Sequence, residues 1–324
     1  MEYRLLGRTG VRVSQLCFGT MSFGGDADEA TSASLYSAVR DAGINFFDSA
    51  NEYNKGRSEE ILGRLIKGHR DDLVITTKCF NPTGPDINAC GANRRHVVRA
   101  VEDSLRRLQT DRIDVLFLHR FDPVTPIDEA MRALEDLVRS GKVIYPAVSN
   151  WSAWQTQRAV DLQERHDWSR LQVIQPMYNL VKRQAEVELL PMAEANGIGV
   201  IPYSPAGAGL LSGKYFGQAS GRLKTNKMYE ARYGDPWMVE VAEAYVGFCR
   251  QGGLHPVSTA IAWVAAHPAI TAPIIGARNV EQLKDSLAAV KVDMTPALRA
   301  EIAALSRTPA PATDRSEELK MAKG

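Results

Sequence analysis

The amino-acid sequence predicts an α/β fold, namely a (β/α)8 TIM barrel with an N-terminal β-hairpin and long loops on the carboxyl face. Eight short apolar runs alternate with helical patterns along the 324 residues. The runs are almost wholly apolar rather than alternating, which is typical of parallel strands covered on both faces. No linker-like change of composition divides the chain, and this favours a closed barrel over a doubly wound sheet.

The predicted elements follow one another in the order that a barrel requires. The first 14 residues predict a hairpin that turns at Thr9–Gly10. The predicted strands are 15–19, 44–48, 73–78, 113–119, 143–149, 171–175, 198–204 and 270–276. Helical patterns, with apolar residues three and four apart, cover 31–43, 56–68, 93–109, 126–142, 152–165, 185–197 and 280–290.

Two segments interrupt this rhythm after the third and seventh strands. Residues 80–92 and 205–235 are rich in glycine and polar residues and are predicted to be long loops. The second is too long for an ordinary βα loop, and such loops are either functional lids or disordered. Residues 1–308 are expected to form a single domain, followed by a polar, flexible tail over 309–324.

Composition narrows the class of protein. A net charge of +1 gives no reason to expect nucleic acid or a membrane surface as a partner. The four cysteines have no CxxC spacing and no histidines at metal-ligand intervals, so no metal site is predicted. Neither a signal peptide nor a membrane span is visible in the sequence, and a reducing cytoplasmic location is expected.

Four polar residues fall near the ends of three successive predicted strands. Asp48, Lys78 and His119 each end one of these strands, and Tyr53 follows Asp48 by five residues. Because barrel enzymes build their sites at the carboxyl ends of the strands, we expect the four side chains to converge. Such a set can protonate a carbonyl oxygen while a hydride is delivered to the carbonyl carbon.

Each of the four residues has a predicted role in that chemistry. Tyr53 would donate the proton, and the Lys78 ammonium would lower its pKa from the usual value of about 10. Asp48 would keep Lys78 charged, and His119 would bind the carbonyl oxygen. Taken singly, each residue could also be a strand cap or a surface side chain. Four such coincidences at consecutive strand ends are improbable.

A hydride donor has to be held beside these residues, yet the chain lacks the GxGxxG fingerprint of dinucleotide-binding folds. Ser149, Asn150 and Gln175 end the fifth and sixth strands and offer groups that suit a carboxamide. Tyr203 ends the seventh strand and could stack on a flat ring. Polar strand ends and a core aromatic remain the alternative interpretation.

Phosphate groups could be bound by two later segments. The glycine-rich stretch 204–215 offers backbone N–H groups and Lys214 to a pyrophosphate, with Arg222 nearby. Arg278 precedes the last predicted helix and could pair with the 2′-phosphate that distinguishes NADPH from NADH. A flexible turn and a solvated arginine are the alternatives.

The segment GINFFDSANEYNKGRSEEILG, the VITTK run with Lys78 and the LH pair with His119 together resemble the aldo-keto reductase superfamily. The similarity extends over about residues 3–290 and is greatest to the bacterial, aryl-alcohol-dehydrogenase-like and potassium-channel-β-subunit-like branches. The resemblance implies a (β/α)8 barrel that binds extended NADP(H) without a Rossmann domain and uses Tyr53 as the proton donor.

The resemblance also implies a set of cofactor-binding residues spread over the carboxyl face. They are Gly19, Thr20, Met21, Asp48, Ser149, Asn150, Gln175, Tyr203, Ser204, Pro205, Ala206, Ala208, Lys214, Arg222, Gly276, Arg278, Gln282, Asp285 and Ser286. Two positions depart from the family pattern. Ala206 stands where leucine is usual, and Ser286 stands where asparagine is frequent.

The substrate is less well defined by the sequence. The candidate substrate-binding residues are Tyr53, Arg57, Phe80, His119, Arg120 and Trp151. Arg57 and Arg120 could recognise an anionic or polyhydroxylated substrate, or could instead pair with Glu59 and Asp122.

The expected function is NADPH-dependent reduction of an aldehyde or ketone, such as a sugar or aryl carbonyl, to the alcohol. A redox-sensing NADP(H)-binding subunit with slow turnover is one alternative. An alcohol or sugar dehydrogenase that works in the oxidative direction is another. Either a monomer or a homo-oligomer is compatible with the sequence.

Overall fold

A closed barrel of parallel strands forms the centre of the molecule. The computed structural model describes residues 1–216 and 227–317. The barrel strands are β3 (Cys17–Gly19), β4 (Phe46–Asp48), β5 (Val74–Cys79), β6 (Ile113–Leu118), β7 (Val143–Ser149), β8 (Val173–Gln175), β9 (Gly199–Val200) and β10 (Ile274–Ile275). The sheet order is β10-β3-β4-β5-β6-β7-β8-β9, with every neighbouring pair parallel.

Backbone hydrogen bonds between the two edge strands close this sheet into a barrel. Thr271 N donates to Val200 O at 2.9 Å, and Ile274 N donates to Pro202 O at 2.9 Å. A parallel bridge between Val200 and Ile270 continues the same pairing. The predicted (β/α)8 fold is therefore confirmed, and closure leaves the sheet without an open edge.

Helices surround the barrel. They are α1 (Glu29–Asp41), α2 (Arg57–Leu65), α3 (Arg94–Leu108), α4 (Ile127–Arg139), α5 (Ala153–Arg165), α6 (Leu189–Asn196), α7 (Lys227–Tyr233), α8 (Pro236–Gln251), α9 (Pro256–Ala265), α10 (Val280–Leu287) and α11 (Pro296–Ala304). Local signals explain several of their ends. Ser152 and Gln155 form a capping box before α5, and Gly43 takes the left-handed conformation that ends α1.

The predicted long loop over 205–235 differs from the structure. A 3-10 helix runs over Gly207–Ser212, and α7 occupies the end of the same segment. Helices α8, α9 and α11 also have no counterpart among the predicted elements. Proline at the first turn of each is the start signal that could have revealed them, because its fixed φ suits that position.

Alternation along the strands separates two apolar layers. Side chains that point to the barrel axis form what we call the axial cluster. It comprises Leu6, Val13, Cys17, Phe46, Val74, Val115, Phe117, Ala147, Val173, Ile201 and Ala272. The strand residues between them, such as Phe47 and Leu116, belong to a larger cluster under the helices. Both faces are buried, as the apolar runs predicted.

The predicted N-terminal hairpin is present as antiparallel strands β1 (Tyr3–Leu5) and β2 (Arg12–Ser14). It contributes Leu6 and Val13 to the axial cluster, and both are fully buried. Gly7 lies so close to the barrel that an added Cβ would meet the backbone nitrogen of Gly199 at 2.8 Å. The hairpin therefore plugs the amino end of the barrel.

Candidate active site

The two-residue period of the strands places the predicted catalytic residues at the barrel axis. Phe46 and Asp48 share one face of β4, and Val74 and Lys78 share one face of β5. Because Phe46 and Val74 belong to the axial cluster, Asp48 and Lys78 also point inwards, at its carboxyl end. His119 follows Phe117 in the same way.

Lys78 is completely buried, and all three of its ammonium hydrogens have acceptors. Its Nζ donates to Asp48 Oδ2 at 2.6 Å, to the backbone oxygen of Ser49 at 2.6 Å and to the Tyr53 hydroxyl at 3.2 Å. The side chain is 0% exposed. A buried charge is tolerated when it is paired and fully hydrogen-bonded, so the orientation of Lys78 is fixed.

The carboxylate of Asp48 is held from several strands at once. In addition to Lys78, it accepts a hydrogen bond from Thr76 Oγ1 at 2.6 Å and one from Gln175 Nε2 at 2.9 Å. These donors come from β5 and β8, and both are buried. Asp48 therefore connects opposite parts of the barrel mouth and holds Lys78 in place.

Tyr53 is delivered by a tight turn after β4. The turn contains Asn54 and Lys55 in the left-handed region, with φ of 49° and 58°. The Asn54 amide stabilises it by donating to the backbone oxygens of Met21 at 2.9 Å and Phe23 at 2.7 Å. Asparagine tolerates this backbone conformation better than most residues, so the local sequence suits the turn.

The balance of charges around Tyr53 differs from the expectation. Burial raises the pKa of Tyr53 to about 12, and this effect outweighs the lowering by Lys78. The structure therefore differs from the predicted net lowering, because the effect of burial on the Tyr53 pKa is larger than that of Lys78. Burial lowers the pKa of Lys78, but Asp48 and Tyr53 outweigh burial and raise it overall. Tyr53 is therefore a neutral hydroxyl beside a charged ammonium.

His119 is a neutral imidazole in this site. Burial is the largest cause that lowers its pKa to about 2, and the charges of Lys78, Arg120 and Arg232 add to the effect. Its Nδ1 lies 3.3 Å from Glu52 Oε1, without hydrogen-bond geometry. The other ring nitrogen, Nε2, remains open to the cleft, where a neutral histidine can donate to an oxygen.

A cleft of about 960 Å³ opens above these residues. Its lining includes Asp48, Tyr53 and His119, together with most of the predicted cofactor-binding positions. Those positions are Gly19, Met21, Asn150, Gln175, Tyr203, Ser204, Pro205, Ala206, Ala208, Lys214, Gly276, Arg278, Gln282, Asp285 and Ser286. The structure thus brings together residues from both ends of the chain.

Two of the predicted cofactor-binding residues that the structure describes are not part of this lining. Thr20 is fully buried and hydrogen-bonds Ser58 Oγ at 2.8 Å, so it supports the loop after β3 from behind. Ser149 is also fully buried and donates to the backbone oxygen of Gln175 at 2.9 Å. Arg222 lies outside the described residues.

Backbone strain occurs at three of the predicted cofactor-binding positions. Asn150, Ser204 and Ala208 all have left-handed conformations, with φ of 59°, 58° and 54°. Tyr203 Oη donates to Asn150 Oδ1 at 2.7 Å, which fixes the ring beside the cleft. Non-glycine residues in this conformation tend to cluster at functional sites, where the surrounding structure holds them in place.

The far end of the cleft is built by the start of α10. Gln282 accepts a hydrogen bond at 3.2 Å from the backbone nitrogen of Arg278, which precedes the helix. The Arg278 guanidinium pairs with Asp26 at 3.1 Å. Both partners are about half exposed, with side-chain exposures of 43% and 45%, so an incoming anion can compete for the arginine.

An extended dinucleotide fits this arrangement of residues. One end of the cleft offers the amides of Asn150 and Gln175 and the ring of Tyr203, and the other offers an arginine at a helix N-terminus. The side chain of Lys214 lies across Gly209, where an added Cβ would meet its Nζ at 2.9 Å. Amide, glycine-rich and cationic groups thus line one cleft, and these are the groups that suit a carboxamide, a pyrophosphate and a phosphate.

The predicted substrate-binding residues divide into two groups. Arg120 lines the cleft beside Tyr53 and His119. Arg57 does not reach it and instead pairs with Glu60 at 3.1 Å and with Glu29 at 3.7 Å.

The two aromatic candidates are also outside the cleft lining. Phe80 packs against the outer core. Trp151 is buried, with its ring centroid 5.1 Å from that of Phe121.

Sequence reasoning missed several residues of the cleft. Arg232 and Tyr229 reach it from α7, and Glu52 lies beside His119. Glu59, the predicted alternative partner for Arg57, is buried and instead accepts a hydrogen bond from Arg107 Nε at 2.7 Å. Glu52 could have been identified because it directly precedes Tyr53 in the sequence. Arg232 and Tyr229 could not, because α7 lies in a segment that was predicted to be a loop.

The fold and the site together define a barrel oxidoreductase. Residues 15–307 match the sequence model of the Aldo/keto reductase family, and the chain belongs to that family. An uncharacterized oxidoreductase of Bacillus subtilis, YrpG, is 40% identical over 91% of this chain and 92% of its own length. This confirms the family expected from the sequence.

Two further relatives show how widely this family ranges. A probable voltage-gated potassium channel subunit beta of Oryza sativa subsp. japonica is 35% identical over 93% of this chain and 94% of its own length. A versiconal hemiacetal acetate reductase of Aspergillus parasiticus is 32% identical over 91% and 94%. Carbonyl reduction is thus the chemistry that the family and its oxidoreductase members support.

Two kinds of feature are absent from the described residues. Within 1–216 and 227–317, no three or more His, Cys, Asp or Glu side chains are grouped to hold a metal ion. In the same ranges, no helix has the length and apolar character that crossing a membrane requires.

Proposed function

We propose that this protein reduces an aldehyde or ketone with NADPH and that Tyr53 donates the proton. The observation that carries the proposal is the buried chain of contacts from Asp48 through Lys78 to the Tyr53 hydroxyl, which opens onto the cleft. When bound, the nicotinamide supplies a hydride to the carbonyl carbon.

In the proposed reaction, the protein's own residues manage the carbonyl oxygen. His119 donates a hydrogen bond from Nε2 and orients the oxygen towards Tyr53. The Tyr53 hydroxyl gives its proton to that oxygen as the carbon receives the hydride. Lys78 stabilises the phenolate that remains, and Asp48 keeps Lys78 charged and in position. Solvent then returns a proton to Tyr53.

The preference for NADPH is proposed from the far end of the cleft. In this proposal Arg278 binds the 2′-phosphate with its forked guanidinium; Gln282 and the N-terminus of α10, which lie beside it, support the assignment. Lys214 is proposed to hold the pyrophosphate, and Asn150 and Gln175 the carboxamide. In this assignment Ser149 acts through its bond to the Gln175 backbone rather than by contact.

The test is NADPH oxidation with a panel of aryl aldehydes, sugar aldehydes and keto sugars. Tyr53→Phe removes the proton donor but keeps the ring, so kcat should fall by about 10²- to 10⁴-fold. Tyr3→Phe is the matched control because Tyr3 is 47% exposed on the hairpin, and its activity should stay unchanged. Unchanged reduction by Tyr53→Phe would refute the mechanism.

A redox-sensing subunit is a second candidate, favoured by the similarity to the probable channel subunit beta of rice. Rapid mixing distinguishes it from an enzyme. A sensor would oxidise one equivalent of bound NADPH and then stop, whereas the proposed reductase continues at a steady rate with the same aldehyde.

A further inference from the structure

Two arginines stand at the mouth of the cleft beside the reacting groups. Arg120 directly follows His119 after β6, and Arg232 lies in the last turn of α7. Both line the same cleft as Tyr53 and His119. They come from separate segments of the chain, so their convergence follows from the fold and not from sequence proximity.

Neither arginine has an acidic partner in the described part of the chain. Many of the other arginines within 1–216 and 227–317 do form ion pairs with aspartate or glutamate. They include Arg57, Arg64, Arg70, Arg94, Arg107, Arg112, Arg132, Arg139, Arg170, Arg183 and Arg278. The sequence of 217–226, next to α7, contains no aspartate or glutamate. Glu52 is the acid nearest His119, at 3.3 Å, but it pairs with neither arginine.

The two guanidinium groups act electrostatically on the centre of the cleft. Burial is the largest cause that lowers the pKa of His119, and the charges of Arg120 and Arg232 lower it further. Burial raises the pKa of Tyr203, and the same two arginines oppose that rise. Their charges thus reach His119, which is proposed to contact the carbonyl oxygen, and Tyr203, which is proposed to lie beside the nicotinamide.

We propose that Arg120 and Arg232 bind an anionic group, a carboxylate or a phosphate, on the carbonyl substrate. This inference rests on the proposed carbonyl reduction and defines its substrate class. Two guanidinium forks can bind such a group with paired, charge-assisted hydrogen bonds. Because both charges act on the same cleft residues, an anion bound there would be attracted by both arginines.

Arg232 is assigned to the substrate and not to the cofactor because of the groups that surround it. It lies 5.8 Å over the ring of Tyr229, at the end of the cleft where His119 and Tyr203 respond to its charge. The cationic groups proposed for the cofactor phosphates lie elsewhere: Lys214 follows the 3-10 helix Gly207–Ser212, and Arg278 precedes α10. The test therefore measures NADPH binding separately.

The experiment compares three aldehydes that differ only at the para position. They are 4-carboxybenzaldehyde, 4-formylphenyl phosphate and the neutral ester methyl 4-formylbenzoate. kcat/KM is measured with saturating NADPH for the wild type, Arg120→Gln, Arg232→Gln and Arg232→Lys. Arg64→Gln removes an arginine charge from α2 outside the cleft and serves as the control.

We expect the wild type to prefer at least one anionic aldehyde over the ester by about tenfold or more. Each glutamine variant should lose about tenfold of that preference while its kcat/KM for the ester and its Kd for NADPH stay within about twofold. Arg232→Lys should keep part of the preference because the charge remains. Whichever anion is favoured identifies the group as a carboxylate or a phosphate.

Equal use of all three aldehydes by the wild type would overturn the inference and leave the proposed reductase intact. Equal losses with every aldehyde in the glutamine variants, or a weaker Kd for NADPH, would also overturn it.

If no aldehyde is reduced, the proposed function fails, and benzoate binding decides the inference independently. On protein saturated with NADP⁺, benzoate should bind more tightly than benzamide, and both glutamine variants should abolish that difference. No difference in the wild type would refute the anion site.

Discussion

Two regions of the cleft, which we call the floor (Lys78 and Asp48) and the mouth (Arg120 and Arg232), differ in how their charged side chains are paired. On the floor, Lys78 and Asp48 are buried, and each is bonded to several partners from different strands. At the mouth, Arg120 and Arg232 lie on a loop and a short helix, without acidic partners in the described residues. The contrast suggests that the strands fix the chemistry, while the loops leave charged groups available to select what is reduced.

Because the floor is buried, a substitution of Lys78 or Asp48 should be poorly tolerated. Removing one member of a buried ion pair leaves its partner charged in a medium that solvates it poorly. Hydrogen bonds within such a network also strengthen one another. A change at the mouth removes only an exposed or half-exposed charge, so the fold should tolerate it. Variants of the two regions should therefore differ in stability as well as activity.

The largest expected effect comes from Lys78→Met on the floor. It removes the group that stabilises the Tyr53 phenolate, so kcat should fall by about 10²- to 10⁴-fold. It also leaves Asp48 buried without its cation, which should cost about 3–5 kcal/mol of unfolding free energy in denaturant titrations. The double variant Asp48→Asn/Lys78→Met should regain stability but not activity. Near-normal turnover by Lys78→Met would contradict the rigid-floor description.

Arg278→Ala should have a smaller effect, confined to the cofactor. Without the guanidinium, the Kd for NADPH should rise by about tenfold or more, while the Kd for NADH should stay nearly constant. Fluorescence titration of both nucleotides measures this difference. Asp26→Asn is the matched variant because it removes the carboxylate that pairs with Arg278, and it should not weaken NADPH. Equal losses for both nucleotides would exclude a role in binding the 2′-phosphate.

The pH dependence of reduction tests the floor without any substitution. Tyr53 must be protonated to act, and a pKa of about 12 keeps it so throughout the usual range. His119, with a pKa of about 2, stays neutral over the same range. kcat/KM for a neutral aldehyde should therefore be nearly flat from about pH 6 to pH 9. A limb near pH 6.5 that disappears in His119→Gln would show that the imidazole titrates normally.

The smallest effect is expected at Arg57, a half-exposed arginine whose partners are Glu60 and Glu29. Exposed ion pairs contribute about 0–1 kcal/mol, so Arg57→Gln should barely change the unfolding free energy. Because the side chain does not reach the cleft, kcat/KM for 4-carboxybenzaldehyde should stay within about twofold. A selective loss with that anion would return Arg57 to the substrate site.

Strand pattern accounts for most of what the sequence predicted correctly. The prediction for β7 matches its observed bounds, Val143–Ser149, where a short run rich in β-branched and apolar residues lies between two longer helical patterns. The prediction failed where glycine and polar residues surround α7. A helix of only 7 residues carries too little periodicity to be recognised beside such a composition. Arg232 was missed for the same reason.

The site shows a second limit of sequence reasoning. Strand-end positions predicted that Asp48, Lys78 and His119 would meet, since parallel strands end on one face. The direction of a side chain could not be inferred from strand ends in this way. Arg57, the first residue of α2, pairs with Glu60 of the same helix and does not reach the cleft. The pKa of Tyr53 could not be predicted from the sequence either. It depends on the balance between burial of the ring, which raises it, and the nearby Lys78, which lowers it.

The hairpin that plugs the amino end has a consequence for the order of events. Leu6 and Val13 are buried at that end, and the rest of the axial cluster fills the barrel interior. The proposed cofactor and substrate would therefore both enter from the carboxyl side. If they share that one entrance, we expect an ordered kinetic mechanism in which the ligand bound deeper binds first and leaves last.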